Sequence, residues 1–213
     1  MSIAHRVVNA AESALVTAIC RVDDAQMTRV PASGPLILVT NHVNFLEVPV
    51  LHSRLRPRRV LGLAKAEAWK NPVLRWLFNL WGGIPVRRGE TDLAALRKCL
   101  EVLKEGAILV IAPEGTRSRH GRLQRGRSGI VTLAIRSGAP ILPLAFYGGE
   151  KLGDNLRRLR RTEFHIRVGE PFHLEPGDGR LTQERRQALV DDIMRKLAAL
   201  LPPAYRGEYA GEP

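Results

Sequence analysis

The segment Pro35–Thr40 reads PLILVT, with its apolar residues consecutive rather than alternating. A short unbroken apolar run predicts a strand buried on both faces. The same criterion predicts strands at Arg59–Ala64 (RVLGLA), Ile84–Val86, Ala107–Ala112 (AILVIA), Ile141–Tyr147 and Phe164–Val168. Between them the period changes to that of a helix. Val7, Val8, Ala11, Ala14, Leu15, Ala18, Ile19 and Val22 recur at helical spacing over residues 4–22. Further helices are expected at Phe45–Leu55, Asn71–Trp81, Thr91–Glu105, Ser128–Ser137 and Leu181–Leu201. Pro72 stands in the first turn of its helix, where a missing N–H costs nothing. Gly106 follows Leu93, Leu96, Leu100 and Leu103 and is placed to end theirs. Strands alternating with helices predict an α/β fold, a largely parallel central sheet flanked by helices, with an N-terminal amphipathic helix. The expected division is an amphipathic segment over 1–30, a candidate for a membrane interface, then one domain over 31–202 and a tail over 203–213. That tail is expected either loose or laid against the surface.

Composition narrows this picture. The chain has 213 residues, of which 45% are hydrophobic, enough for a sizeable core. Cys20 and Cys99 stand apart with no CxxC, so neither a disulfide framework nor structural zinc is expected, and the usage fits a reducing compartment. No apolar run approaches the length of a bilayer span, and no signal-type N-terminus is evident, so no transmembrane helix is expected. Lys and Arg total 33 against 21 acidic residues, a formal charge of +12. Such an excess suits a nucleic acid, an anionic bilayer or phosphorylated small molecules, unless it merely reflects an Arg-rich source. Basic clusters lie at 54–60 (RLRPRRV), 117–127 (RSRHGRLQRGR) and 151–161 (KLGDNLRRLRR). Nucleic acid is disfavoured, since aromatics are 5% and no RNA-binding aromatic block, zinc knuckle or helix-turn-helix is recognisable.

Candidate chemistry gathers where strands end. TNHVNFLEVP (40–49) places His42 directly after the first buried strand, with Glu47 five residues on. Positions five apart lie on different faces of a regular helix. The two can meet if His42 sits on the loop leaving the strand and Glu47 in the first turns of the helix. A base and its orienting acid would then lie at a strand's carboxyl end, where open α/β sheets place ligands. Taken alone, the pair reads more readily as a helix-flanking histidine and a solvated acid. His52 does not complete a metal-ligand spacing with His42, and no metal is expected. GGIPVRRG (82–89) ends a short strand in Arg87 and Arg88, whose planar forks suit phosphate, although such a pair is also an ordinary solvated edge. IAPEGTRSRHG (111–121) ends a buried strand in Pro113, Glu114, a conformationally permissive Gly115 and Arg117. APILPLAFYG (139–148) sets Pro140 and Pro143 among apolar residues.

In this order the four blocks resemble those of the glycerolipid acyltransferases typified by lysophosphatidate (1-acyl-sn-glycerol-3-phosphate) acyltransferase. Asn41-His42 through Glu47 resembles its NHxxxxD block, Gly83 through Arg88 its GxxxxR block, Pro113 through Ser118 its PEGTRS-like block, and Ala139 through Leu144 its proline-containing strand. LAKAE (63–67) resembles the family's lysine-bearing strand end. The likeness spans roughly residues 35–170. One departure is Glu47, where the family usually has Asp; related lipid A acyltransferases are similar in accepting Glu there. A smaller one is Ala112, where the family often has a bulkier apolar residue.

The resemblance implies transfer of a fatty acyl group from a thioester to the free hydroxyl of 1-acyl-sn-glycerol 3-phosphate, giving phosphatidic acid. It implies His42 as general base and Glu47 as its partner, with no acyl-enzyme. Arg88 and Arg117 would hold the acceptor's phosphate, Glu114 and Thr116 would position the glycerol or a nearby Arg, a backbone N–H near Gly115 could face the oxyanion, and Lys65 would add positive charge. The implied partners are a lysophospholipid acceptor, acyl-CoA or acyl-carrier protein as co-substrate with no further cofactor, and an anionic membrane surface on whose cytoplasmic face the protein would rest. Another lyso-lipid, a lyso-aminolipid or glycerol 3-phosphate as acceptor, or a catalytically inactive lipid-binding relative, are the alternatives.

Overall fold

The computed structural model describes residues 3–87, 92–118, 120–175, 177 and 181–211, the first seven as backbone only. Its centre is a seven-stranded sheet in the order β1-β7-β6-β2-β5-β3-β4. The strands are β1 (Cys20–Asp23), β2 (Leu36–Thr40), β3 (Val60–Lys65), β4 (Gly83–Val86), β5 (Ile108–Ile111), β6 (Ile141–Tyr147) and β7 (Thr162–Val168). All neighbours run parallel except β6 and β7. The helices are α1 (Ile3–Ile19), α2 (Glu47–Arg54), α3 (Pro72–Leu80), α4 (Leu93–Lys104), α5 (Gly129–Ser137), α6 (Leu152–Arg157) and α7 (Gln183–Ala199).

β2 is the middle strand, and the period of two along it divides the core. Leu36 and Leu38 face a cluster built from α1 and α2. Ile37 and Val39 face one built from α4, α5 and α7. All four are at most 1% exposed, which explains the unbroken apolar run. Each such side chain contributes roughly 1.5–3 kcal/mol of burial. Strands β6, β2, β5, β3 and β4 are contiguous and parallel, so their carboxyl ends share one edge of the sheet. The loops that carry the candidate residues therefore emerge side by side.

Two features differ from the periodicity. The first helix ends at Ile19 rather than Val22, because Cys20–Asp23 extends and pairs with β7 from Cys20↔Thr162 to Asp23↔His165. The segment 1–30 is thus helical only in part, and its strand belongs to the common sheet. Four residues are too few for an alternation to stand out against the helical period that Ile19 and Val22 continue. α6 is also additional, a short helix within the basic 151–161 stretch. The tail lies against the body: the Leu123 N–H donates to the Tyr205 carbonyl at 2.9 Å, and Tyr209 is buried.

Candidate active site

β2 ends at Thr40, and the loop 41–46 turns into α2 at Glu47. Asn41 anchors its start. Its side-chain N–H donates to the Phe146 carbonyl on β6 and its side-chain oxygen accepts the Phe146 N–H, both at 2.8 Å. Asn44 anchors its end, donating to the Gly149 carbonyl at 2.7 Å and accepting the Leu46 N–H at 2.8 Å. Between these anchors His42 is held to Glu47, with Nδ1 to Oε2 2.9 Å. The other oxygen, Oε1, accepts the Val43 and Asn44 N–H groups at 3.1 and 2.9 Å. An ionised carboxylate can only accept, so the imidazole carries its proton on Nδ1 and leaves the lone pair of Nε2 outward. The Glu47 side chain is 3% exposed and that of His42 25%. The acid is sealed and the imidazole reaches solvent.

The second wall comes from the loop after β5. The Ser118 N–H donates to the His42 carbonyl at 2.7 Å, which draws this loop across the first. Arg117 is exposed, and its Nε lies 3.4 Å from His42 Nε2. A guanidinium can only donate, which is consistent with Nε2 as the acceptor. Glu114 is 2% exposed, and both its oxygens are engaged: Oε1 accepts the His42 N–H and Oε2 the Gln124 N–H, each at 3.0 Å. Burial pushes its carboxyl up to about 7, against the opposing pull of these two donors. Gly115 takes a φ of +67°, and a Cβ there would sit 3.0 Å from the Arg127 side chain. Only glycine suits both the left-handed backbone and the close approach.

Thr116 is exposed beside Arg117. Lys65 ends β3 on the same sheet edge, with its ammonium 3.6 Å from Glu67. Arg88 lies outside the described residues. Its neighbour Arg87 follows β4 and turns toward Asp92, to which its backbone N–H donates at 3.1 Å. His42, Glu47, Glu114, Gly115 and Arg117 are therefore brought into one constellation, while Lys65 sits at the edge paired to an acid. Sequence reasoning missed Asn44, Gln124 and Arg127. Asn44 precedes Glu47 by the spacing of a helix-entry residue, a usable signal; Arg127 was hidden among the arginines of 117–127.

An acyltransferase family model matches residues 21–147, which run from β1 through β6 and include every residue of this constellation. The chain belongs to the acyltransferase family. Among its relatives, a chloroplastic 1-acyl-sn-glycerol-3-phosphate acyltransferase, BAT2, of Brassica napus is 30% identical over 135 residues, 62% of this chain and 39% of that protein. A lyso-ornithine lipid O-acyltransferase of Pseudomonas aeruginosa is 32% identical over 174 residues, 73% of this chain and 66% of that protein. The chain spans about half or less of the plant and algal acyltransferases it matches, 39 to 51% of their length. The crystal structure of the 1-acyl-sn-glycerophosphate (LPA) acyltransferase PlsC from Thermotoga maritima superposes with a TM-score of 0.66 at 20% identity, covering 92% of this chain and 78% of that one, and so shares the acyltransferase fold.

Proposed function

We propose that this acyltransferase-family chain moves a fatty acyl group from an acyl thioester to the free hydroxyl of 1-acyl-sn-glycerol 3-phosphate. The observation that carries the proposal is the His42–Glu47 pair, with Nε2 turned to the exposed Arg117. The acceptor hydroxyl would take the position now bordered by Arg117, and Nε2 would remove its proton as the oxygen attacks the thioester carbonyl. Glu47 would hold the imidazole and stabilise the cation it becomes, a base and orienter with the substrate's own oxygen as nucleophile. Arg117 would bind the phosphate, in a fork suited to two of its oxygens. Arg88 is assigned the same role by its place in the sequence, and Lys65 adds charge at the edge. Glu114 is buried with a backbone amide on each oxygen, so its part is to hold the His42 loop against the Gly115 turn. Thr116 stays available to the acceptor. The thiol of the donor leaves, and no acyl-enzyme or metal is required.

We assign the protein to a membrane surface for two reasons. Ala11, Ala14, Leu15 and Ala18 of α1 are all exposed, at spacing that puts them on one face. On α3 no residue is fully buried, and Val73, Leu74 and Trp76 stand in solvent at 69, 39 and 56%. Glu12 of α1 accepts the indole N–H of Trp81, tying the two helices together. Among the described residues no helix is long and apolar enough to cross a bilayer. The proposed seat is peripheral, on the cytoplasmic face, with the basic clusters helping to hold anionic lipid.

The relative named for lyso-ornithine lipid makes the acceptor the point to test. Purified protein is given lysophosphatidate, lyso-ornithine lipid or glycerol 3-phosphate with acyl-CoA or acyl-carrier protein. Lysophosphatidate is expected to be the preferred acceptor. Preference for lyso-ornithine lipid overturns the acceptor assignment, and no turnover with any of them leaves a lipid-binding protein.

A further inference from the structure

The basic stretch 151–161 does not spread over a plain surface. It rims a cleft of about 430 Å³ at the end of β6 and the start of β7. One wall is aromatic and largely apolar. The Tyr147 and His165 rings stack at 4.6 Å, and Tyr205 lies 5.7 Å from Tyr147. The rim carries Lys151, Arg160 and Arg161. Arg161 is turned to the Cys20 carbonyl through Nε and Nη2. Lys151 and Arg160 are exposed and make no ion pair among the described residues. Glu163, which lines the cleft, is matched by Arg21 at 3.1 Å, and Glu150 behind the wall accepts the Tyr205 hydroxyl at 2.7 Å. His165 and Arg167 are answered by Asp23. Two cations outside any ion pair among the described residues therefore stand over an aromatic wall, in a volume typical of small-molecule sites.

The position of the cleft is as informative as its chemistry. The His42 loop follows β2, and Arg117 approaches it from the β5 side. The cleft lies on the other side, beyond β6. Gly148 lines it, and the adjacent Gly149 carbonyl takes the Asn44 hydrogen bond. β7 is two places from β2, roughly 10 Å at about 4.8 Å per strand. Two substrates could thus reach His42 from opposite flanks.

We infer that this cleft binds the phosphorylated nucleotide end of coenzyme A, with Lys151 and Arg160 on its phosphates and the Tyr147–Tyr205 wall against its planar or apolar parts. This rests on the reading of the chain as a thioester-dependent transferase. A concave site of this size fits a small phosphorylated ligand better than the broad face of a carrier protein or a bilayer. Forked and flexible cations beside an aromatic surface are the usual means of holding one.

The test uses adenosine 3′,5′-bisphosphate as probe, in calorimetry with the full chain, together with steady-state kinetics on acyl-CoA. Wild type is expected to bind the probe. Lys151→Glu/Arg160→Glu should weaken binding and raise the KM for acyl-CoA, each on the order of tenfold, without raising the KM for the acceptor. Arg160→Lys should restore part of the loss. Turnover of acyl-CoA with an unaltered donor KM in the double variant overturns the inference and leaves the proposed function standing. A loss confined to anionic vesicle binding, or to acyl-carrier protein as donor, overturns it in favour of those partners. Probe binding by a wild-type protein that turns over no lyso-lipid supports the cleft while removing the proposed function.

Discussion

The loops leaving β2 and β5 seal their acids: Glu47 and Glu114 are buried and bonded to backbone N–H groups. Helix α3 does the reverse with apolar groups, leaving Val73, Leu74 and Trp76 in solvent. In the first region the backbone fixes a reactive imidazole at the cost of burying charge. In the second, apolar surface that could have joined a core stays outside. Two histidines sharpen the contrast. His42 keeps an acid partner and an open Nε2, whereas burial together with Arg56 holds His52, beside Trp81, down to about 4. Burial beside a cation favours a neutral ring, whereas the carboxylate and the opening to solvent suit His42 to the proposed role of base.

The comparison breaks first at His42. His42→Ala should lower kcat with lysophosphatidate by about 10²–10⁴-fold while leaving the thermal unfolding cooperative; activity near wild type would remove the base from that loop. Glu47→Gln is next. It retains shape, but it can present an amide donor where Nδ1–H needs an acceptor, and a fall in kcat of about 10²-fold is expected, with Glu47→Asp losing less. Single-turnover rates would check both.

The third concerns Glu114 and pH. Its folded value of about 7 lies above the ordinary carboxylate value of 4.5, so the folded state holds the proton more tightly. Stability should then be greatest below about pH 4.5 as far as this group is concerned, and should decline as pH rises through 7, by a total of about 3 kcal/mol. Urea midpoints between pH 5 and 7.5 should show that slope in wild type and a shallower one in Glu114→Gln. Equal slopes would mean that the two backbone donors offset the burial. The smallest effect is at the apolar surface. Val73→Asp/Trp76→Asp should cut partition onto anionic vesicles about tenfold and leave turnover of detergent-dispersed substrate near wild type. Unaltered vesicle binding would free α3 for another partner.

Much of the architecture is legible along the chain because the relevant forces are local. PLILVT is apolar throughout since β2 is covered on both faces. Pro72 and Gly106 mark helix ends through their own backbone limits. β1 escapes notice because its pairing partner, β7, is some 140 residues away and supplies the reason to extend. At the site, His42 and Glu47 are legible as a pair, since their spacing across a strand–helix junction permits one arrangement. Glu114 is visible as a residue but not in its role. From its place beside Gly115 it reads as a substrate contact, yet it points inward to the His42 and Gln124 amides.

The alternation of strands and helices therefore settled the α/β class, and the order of blocks pointed to the proposed base, its acid and one arginine, because strand ends and helix starts are written in neighbouring residues. Folding settled which polar groups stay open to solvent and which hold a loop, and it gathered Lys151 and Arg160 around a cleft instead of a flat basic face. Those outcomes depend on parallel strands setting distant loops side by side, and on backbone donors that no side-chain pattern reveals.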